Sequence, residues 1–233
     1  MATETVANSA RTEILRKIRS AKGGASSASS AEVGWAGIER KYKRESSRSR
    51  EDVLALLEER LRDYDAHVMR VRLDEIAATV AKMMSERGVR RVVVPAGLKT
   101  DWLPSGFEFV FDSGNGDSGN GDSGDDALTA VELDAMDGVM TGAQVAIAET
   151  GTVVLQNTAG QGRRAVTLVP DYHLCVVLVN DVVETVPEAM ERLKATAALA
   201  TTFVSGPSAT ADIEMTRIKG VHGPRFLDVV LAG

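Results

Sequence analysis

The stretch LDEIAATVAKMMSERGVRRVVVP, residues 73–95, decides how this chain folds. Leu73, Ile76, Ala77, Val80, Met83 and Met84 recur at intervals of three and four, which places them on one face of a helix. Gly88 follows and suits the left-handed residue that closes a helix. Arg91–Pro95, RVVVP, is then a short valine-rich run that predicts a strand buried on both faces. Helix, glycine, apolar strand is the rhythm of a parallel α/β sheet.

The rhythm continues on both sides. Upstream, Val53, Leu54, Leu56, Leu57 and Leu61 have helical spacing. Downstream, Phe107–Phe111 reads as a second short strand. Apolar runs follow at Ala143–Ala148, Thr152–Leu155, Ala165–Val169 and His173–Val179. Their close spacing predicts hairpins, and hence a mixed sheet. Val186–Ala200 predicts a helix with Pro187 in its first turn. Thr201–Val204 predicts a strand, Ser205–Ser208 a turn into a short helix, and Phe226–Leu231 the last strand. The expected class is α/β, with a central, mainly parallel but mixed sheet flanked by helices.

Composition bounds the function. The 233 residues suffice for one large domain or two small ones. With only 4% aromatics, the core must rest on Val, Leu, Ile, Ala and Met. No run approaches the roughly 18 apolar residues of a membrane helix, so no membrane span is expected. MATETVANSA lacks the basic start and apolar stretch of a secretory signal. The single cysteine, Cys175, can form no internal disulfide and cannot alone hold an iron–sulfur cluster. No cofactor is expected in this chain, and a reducing cytoplasm is its expected home.

Charge is uneven. Residues 1–50 hold 11 Lys/Arg against 5 Asp/Glu, whereas residues 101–150 hold 11 acids and no Lys or Arg. So acidic a body repels phosphate backbones, and no nucleic-acid partner is expected. Residues 1–45 read as a basic N-terminal helix and flexible linker. Ile14, Leu15 and Ile18 share one helical face, fit to dock on this protein or on a partner. GGASSASSA, residues 23–31, is the linker, and Trp35 and Tyr42 are candidate anchors. Residues 46–233 form the main domain. Within it SGNGDSGNGDSGDD, residues 113–126, contains no apolar residue and reads as a disordered loop.

Four clusters carry candidate chemistry. In TGAQVAIAETGTVVL, Glu149 interrupts two apolar runs. It is either an exposed hairpin residue or a charged group facing a cleft, flanked by the hydroxyls of Thr150 and Thr152 and by Gly151. In QNTAGQGRRAV, Gly160 and Gly162 frame a tight loop before Arg163 and Arg164. Adjacent guanidinium groups bind carboxylate or phosphate, although the loop is also a plain turn with surface arginines. In FVSGPSATADIE, Ser205, Gly206 and Ser208 sit where a strand meets a predicted helix start. That is a place for either a simple cap or an anion. Thr210, Asp212 and Glu214 follow; the two acids are either acid–base groups or complements of a helix dipole. In GVHGP, His222 is confined between glycines. The spacing of Asp212, Glu214 and His222 fits no standard metal motif, so no metal site is assigned. His173 and Cys175 alternate on one strand face and read as core residues.

Together GAQVAIAETGTVVL, GQGRR, PDYHLCVVLV, SGPSATADIE and GVHGP, in this order, resemble the lactate utilization protein C family, built on the LUD domain. The match runs from about residue 139 to 231, and EILRKIRSA resembles the family's opening helix. The resemblance implies a fold similar to the sugar-isomerase, CoA-transferase and formyltetrahydrofolate cyclo-ligase group. It implies a role in oxidising L-lactate to pyruvate beside iron–sulfur partner proteins, with this chain as the cluster-free member. The family supplies no established active site. On the motifs, Arg163 or Arg164 and the Ser205–Ser208 turn hold a small carboxylate of the lactate and pyruvate class, and Glu149 and Asp212 orient it or move a proton. Two rivals stand beside this reading: a non-catalytic assembly factor for the iron–sulfur partners, and a stand-alone acyl-transfer or isomerase-like enzyme with Glu149 as nucleophile or base. A homo-oligomer is left open.

Overall fold

The computed structural model describes residues 2–21, 28–114, 127–210, 218–220 and 222–233. Two compact units divide between Tyr42 and Lys43. The expected disordered loop falls almost entirely on residues 115–126, outside the described residues.

The first unit holds helices α1 (Ala2–Ala21) and α2 (Ala28–Ala36). The expected linker at 23–31 is therefore helical from Ala28 onward. Ile14, Leu15 and Ile18 are exposed, and so are Trp35 and Tyr42. The Arg40 guanidinium instead lies 4.7 Å over the Trp35 ring and donates to the Trp35 carbonyl at 3.0 Å.

The second unit runs α3 (Arg50–Asp63), β1 (His67–Val71), α4 (Ile76–Glu86), β2 (Arg91–Pro95), β3 (Glu108–Asp112), α5 (Ala130–Asp134), β4 (Gly138–Gly142), β5 (Val145–Ile147), β6 (Thr152–Gln156), α6 (Arg164–Leu168), β7 (Tyr172–Leu178), β8 (Val182–Val183), α7 (Val186–Leu193), β9 (Thr201–Val204), β10 (Ala209–Thr210), β11 (Ile218–Lys219) and β12 (Phe226–Ala232). Six strands in the order β1-β12-β7-β4-β2-β3 make one sheet, and every pair in it is parallel. The valine-rich runs are its central strands, apolar throughout because both faces are covered. α4 packs Val80, Met83 and Met84 against Val92, Val94, Leu174 and Val230 on one face. α3 packs Leu54, Leu57 and Leu61 against Cys175, Val229 and Leu231 on the other. Leu57 and Leu61 are fully buried, worth about 1.5–3 kcal/mol each in apolar transfer. α4 ends as its sequence predicts, with Gly88 at φ +68°.

The central sheet is parallel throughout, and among the described residues two further sheets form, one of four strands and the two-stranded β10-β11. The mixed character belongs to a separate four-stranded sheet, β8-β5-β6-β9. Only β5 and β6 form a hairpin among the runs between 143 and 179. Ala165–Val169 is not a strand: Arg164–Leu168 is one helical turn that seats Val166 among Val93, Leu133 and Val139. So short an apolar run carries no decisive periodicity. α7 stops at Leu193, seven residues short of expectation, because no residue from Lys194 to Ala200 is buried to hold a longer helix. Its start is as expected, with Pro187 in the first turn and a Thr185–Glu188 capping box. The turn at Ser205–Ser208 leads into β10, paired antiparallel with β11, and not into a helix.

Candidate functional site

At one end of the four-stranded sheet, polar side chains form a row. β5 and β8 run parallel and end there, β6 begins there, and β9, antiparallel to β6, ends there. Glu184, just beyond β8, is buried. It accepts hydrogen bonds from Lys43 Nζ, Ser46 Oγ at 2.6 Å, the Ser47 and Arg48 amides at 2.9 and 3.1 Å and the Arg48 guanidinium at 3.2 Å. The Lys43 bond first, then that of Ser46, holds this carboxylate down to about pKa 2 against the opposing effect of burial. Beside it, the Glu149 amide donates to the Glu184 carbonyl at 3.0 Å, and the Glu149 side chain lies 3.5 Å from Lys43. Glu149 is thus held at the hairpin tip by the cation that Glu184 also uses.

The row continues through hydroxyls. Thr150 Oγ1 and Thr152 Oγ1 are 2.7 Å apart, and Thr152 Oγ1 and Ser205 Oγ are 2.7 Å apart. Gly151 and Gly206 let these turns press onto the end of α3. A Cβ at Gly151 would meet Arg60 at 2.7 Å, and one at Gly206 would meet Tyr64 at 2.6 Å. Both glycines therefore serve packing.

Ser205 opens onto a cavity of about 500 Å³ between α6, β9, the 205–209 turn and the 222–224 turn, closed below by the first residues of β7 and β12. It lies at the amino ends of those two parallel strands and at the carboxyl end of β9. Arg164, Ser205, Gly206, Ser208 and His222 all line it. The His222 amide donates to Ser208 Oγ at 3.1 Å, and the Ser208 amide donates to the Pro224 carbonyl at 2.8 Å. Thr210 lies in β10. Asp212 and Glu214 lie outside the described residues.

The two adjacent arginines part ways. Arg163 bonds both oxygens of buried Asp112 at 3.1 and 3.0 Å and donates to the Leu128 carbonyl. Arg163 is thus occupied in tying β3 to the segment before α5. Gly160 and Gly162 belong to that structural loop: the Gly160 amide donates to the Ala96 carbonyl at 2.8 Å, and a Cβ at Gly162 would lie 2.8 Å from Pro95. Arg164 is exposed. Its side-chain partner among the described residues is Thr202 Oγ1, at a long 3.4 Å. No carboxylate pairs with Arg164 among the described residues, so its guanidinium can meet an anionic ligand.

Sequence reading missed three polar groups. His173, read as core, is buried yet also lines the cavity, and Thr141 Oγ1 lies 2.8 Å from its Nε2. Burial lowers the His173 pKa to about 4 and raises the Cys175 thiol to about 12. Asp228, inside the apolar FLDVVLA strand, accepts from Arg87 Nη2 at 2.5 Å and from the Tyr172 hydroxyl at 2.9 Å. Glu184 is the third. An acid inside an apolar run was the available signal for Asp228 and Glu184, because a buried charge must be paired. Among the described residues, no group of three or more His, Cys, Asp or Glu is placed to hold a metal ion, and no helix is long and apolar enough to cross a membrane.

The sequence profile of the LUD domain matches residues 54–232. The chain belongs to the LUD domain family. It is 41% identical to lactate utilization protein C of Deinococcus radiodurans over 187 residues, 79% of this chain and 82% of that protein. It is 34% identical to lactate utilization protein C of Bacillus subtilis over 91 residues, 36% of this chain and 38% of that one. Among solved structures, that of a DUF162 family protein from Deinococcus radiodurans superposes with a TM-score of 0.66 at 37% identity, covering 80% of this chain and 99% of the other. The matched LUD segment contains the cavity, the six- and four-stranded sheets and the Glu149 tip.

Proposed function

We propose that this chain is the cluster-free subunit of an L-lactate oxidation system, acting in the cytoplasm beside iron–sulfur partner proteins. In this reading its cavity holds a small carboxylate of the lactate and pyruvate class. Similarity to the lactate utilization proteins C supports the system. The observation that carries the ligand class is Arg164, a cation on the cavity wall with no carboxylate partner among the described residues. Ser205, Ser208 and the His222 turn supply neutral polar groups around it. Glu149 does not line the cavity, so its part in this reading is to hold the hairpin tip with Lys43 and not to move a proton.

A second reading, a non-catalytic assembly factor for the same partners, draws on the exposed apolar row Ile14, Leu15 and Ile18. A strain lacking this gene separates the two. Under the first reading it fails to grow on L-lactate, and growth returns with the intact chain but not with a folded Arg164→Ala variant. Full rescue by Arg164→Ala removes the carboxylate site and favours assembly. Normal growth of the deletion strain on L-lactate removes both.

A further inference from the structure

His173 differs from every other residue of the cavity. It is a titratable ring, almost wholly enclosed, that still lines the open space. Its hydrogen-bond partners bear on which nitrogen carries the proton. The Gly142 carbonyl can only accept, so the Cys175 thiol donates to it at 3.5 Å. The sulfur in turn accepts from Thr141 Oγ1 at 3.6 Å. With its single proton directed to the sulfur, Thr141 Oγ1 accepts from His173 Nε2 at 2.8 Å in the Nε2–H tautomer, which we assign to the ring. In that tautomer the chain runs from His173 Nε2–H through Thr141 and Cys175 to Gly142. It leaves Nδ1 as a bare acceptor.

That acceptor is open. The enclosed side-chain polar atom without a partner among the described residues is Gln156 Oε1. Nδ1 of His173 has no hydrogen bond among the described residues either, and the ring lines the cavity. Burial keeps the ring neutral, with a pKa of about 4, so it offers a lone pair at neutral pH.

We propose that His173 is the specificity-determining residue of the cavity: its Nδ1 accepts a hydrogen bond from a hydroxyl next to the carboxylate that Arg164 holds. The cavity therefore prefers a 2-hydroxy acid to the matching 2-oxo acid, whose carbonyl oxygen would face the Nδ1 lone pair. It also prefers it to a plain monocarboxylate, which leaves Nδ1 unsatisfied. Leu168, Val204 and Leu227 offer apolar wall to the substituent on C2, and the volume admits groups larger than methyl. The inference rests on the carboxylate reading above and adds the group that reads C2.

Titration calorimetry of the intact chain at pH 7 with L-lactate, pyruvate and propionate tests it. L-lactate is expected to bind about tenfold or more tighter than either analogue, because a site built for a hydroxyl rejects ligands lacking it. His173→Phe is expected to erase that preference while keeping propionate affinity, and Arg164→Met to weaken all three acids alike. Nitrogen-15 NMR of the wild-type histidines gives a readout that needs no variant: saturating lactate should move the Nδ1 resonance of His173. Equal affinity for the three acids, or an unmoved Nδ1 resonance, overturns the role of His173 and leaves the carboxylate reading standing. Binding of none of the three overturns both.

Discussion

The two ends of the polar row treat charge in opposite ways. At Glu184 a buried carboxylate is saturated with donors from Lys43, Ser46, Ser47 and Arg48. At the cavity, Arg164 and His173 keep hydrogen-bonding capacity unused among the described residues. A saturated network has nothing left for a ligand and acts as structure, pinning the 43–48 segment to the end of β8. An unsaturated one is stable only where solvent or a ligand completes it. The same contrast separates Arg163, locked onto Asp112, from its neighbour Arg164.

The largest effect is expected at the saturated end. Glu184→Ala removes the acceptor shared by Lys43, Ser46, Arg48 and the Ser47 and Arg48 amides and should lower Tm by roughly 10 °C. It should also expose Lys43, Arg44 and Arg48 to trypsin, so an unchanged cleavage rate would break the view of this segment as pinned. The depressed Glu184 pKa gives the sign of its pH dependence. Its stabilisation is fully present above the ordinary glutamate value of 4.5 and is lost as pH falls from there toward about 2.

Next comes Arg163→Ala, which leaves Asp112 buried and unpaired. A loss of about 3–5 kcal/mol in urea unfolding is expected. Slightly smaller is the acid response of His173. Its folded pKa, about 4, lies below its ordinary 6.5, so the unfolded chain binds the proton more readily. Stability therefore falls as pH drops from 6.5 to 4, by about 3 kcal/mol. A folded His173→Phe variant should lack this part of the pH–stability curve. Thr152→Val breaks the hydroxyl row between Thr150 and Ser205 and should cost about 1 kcal/mol. Smallest is Arg164→Ala, expected within about 0.5 kcal/mol of wild type in stability while carboxylate binding is lost. A large destabilisation there would erase the contrast between the two arginines.

Much of this was legible beforehand, in uneven measure. Residues 73–95 announce helix, glycine and strand because burial on both faces leaves an unambiguous apolar run. The site was legible as a set of motifs, since Thr150, Thr152, Ser205, Ser208, Arg164 and His222 do gather along the row and its cavity. Their division of labour was not legible. Arg163 and Arg164 are identical in sequence terms, and only the Asp112 carboxylate, distant in the chain, separates them. His173 looked like core because its strand neighbours are core. α6 and the segment after α7 misled because helix and strand patterns in five to seven residues are indistinguishable until something packs on them.

By itself, then, the sequence determined the layered α/β class, the central valine strands, the close of α4 at Gly88, the start of α7 at Pro187 and the family to which the chain belongs. These depend on residue periodicity and local backbone chemistry. The tertiary structure alone decided that the strands divide into a parallel sheet and a separate mixed one, that the cavity lies at the amino ends of β7 and β12, and which charges are spent and which remain available. Those outcomes depend on partners brought together from far along the chain, as Lys43 meets Glu184 and Asp112 meets Arg163, and no local pattern records such pairings.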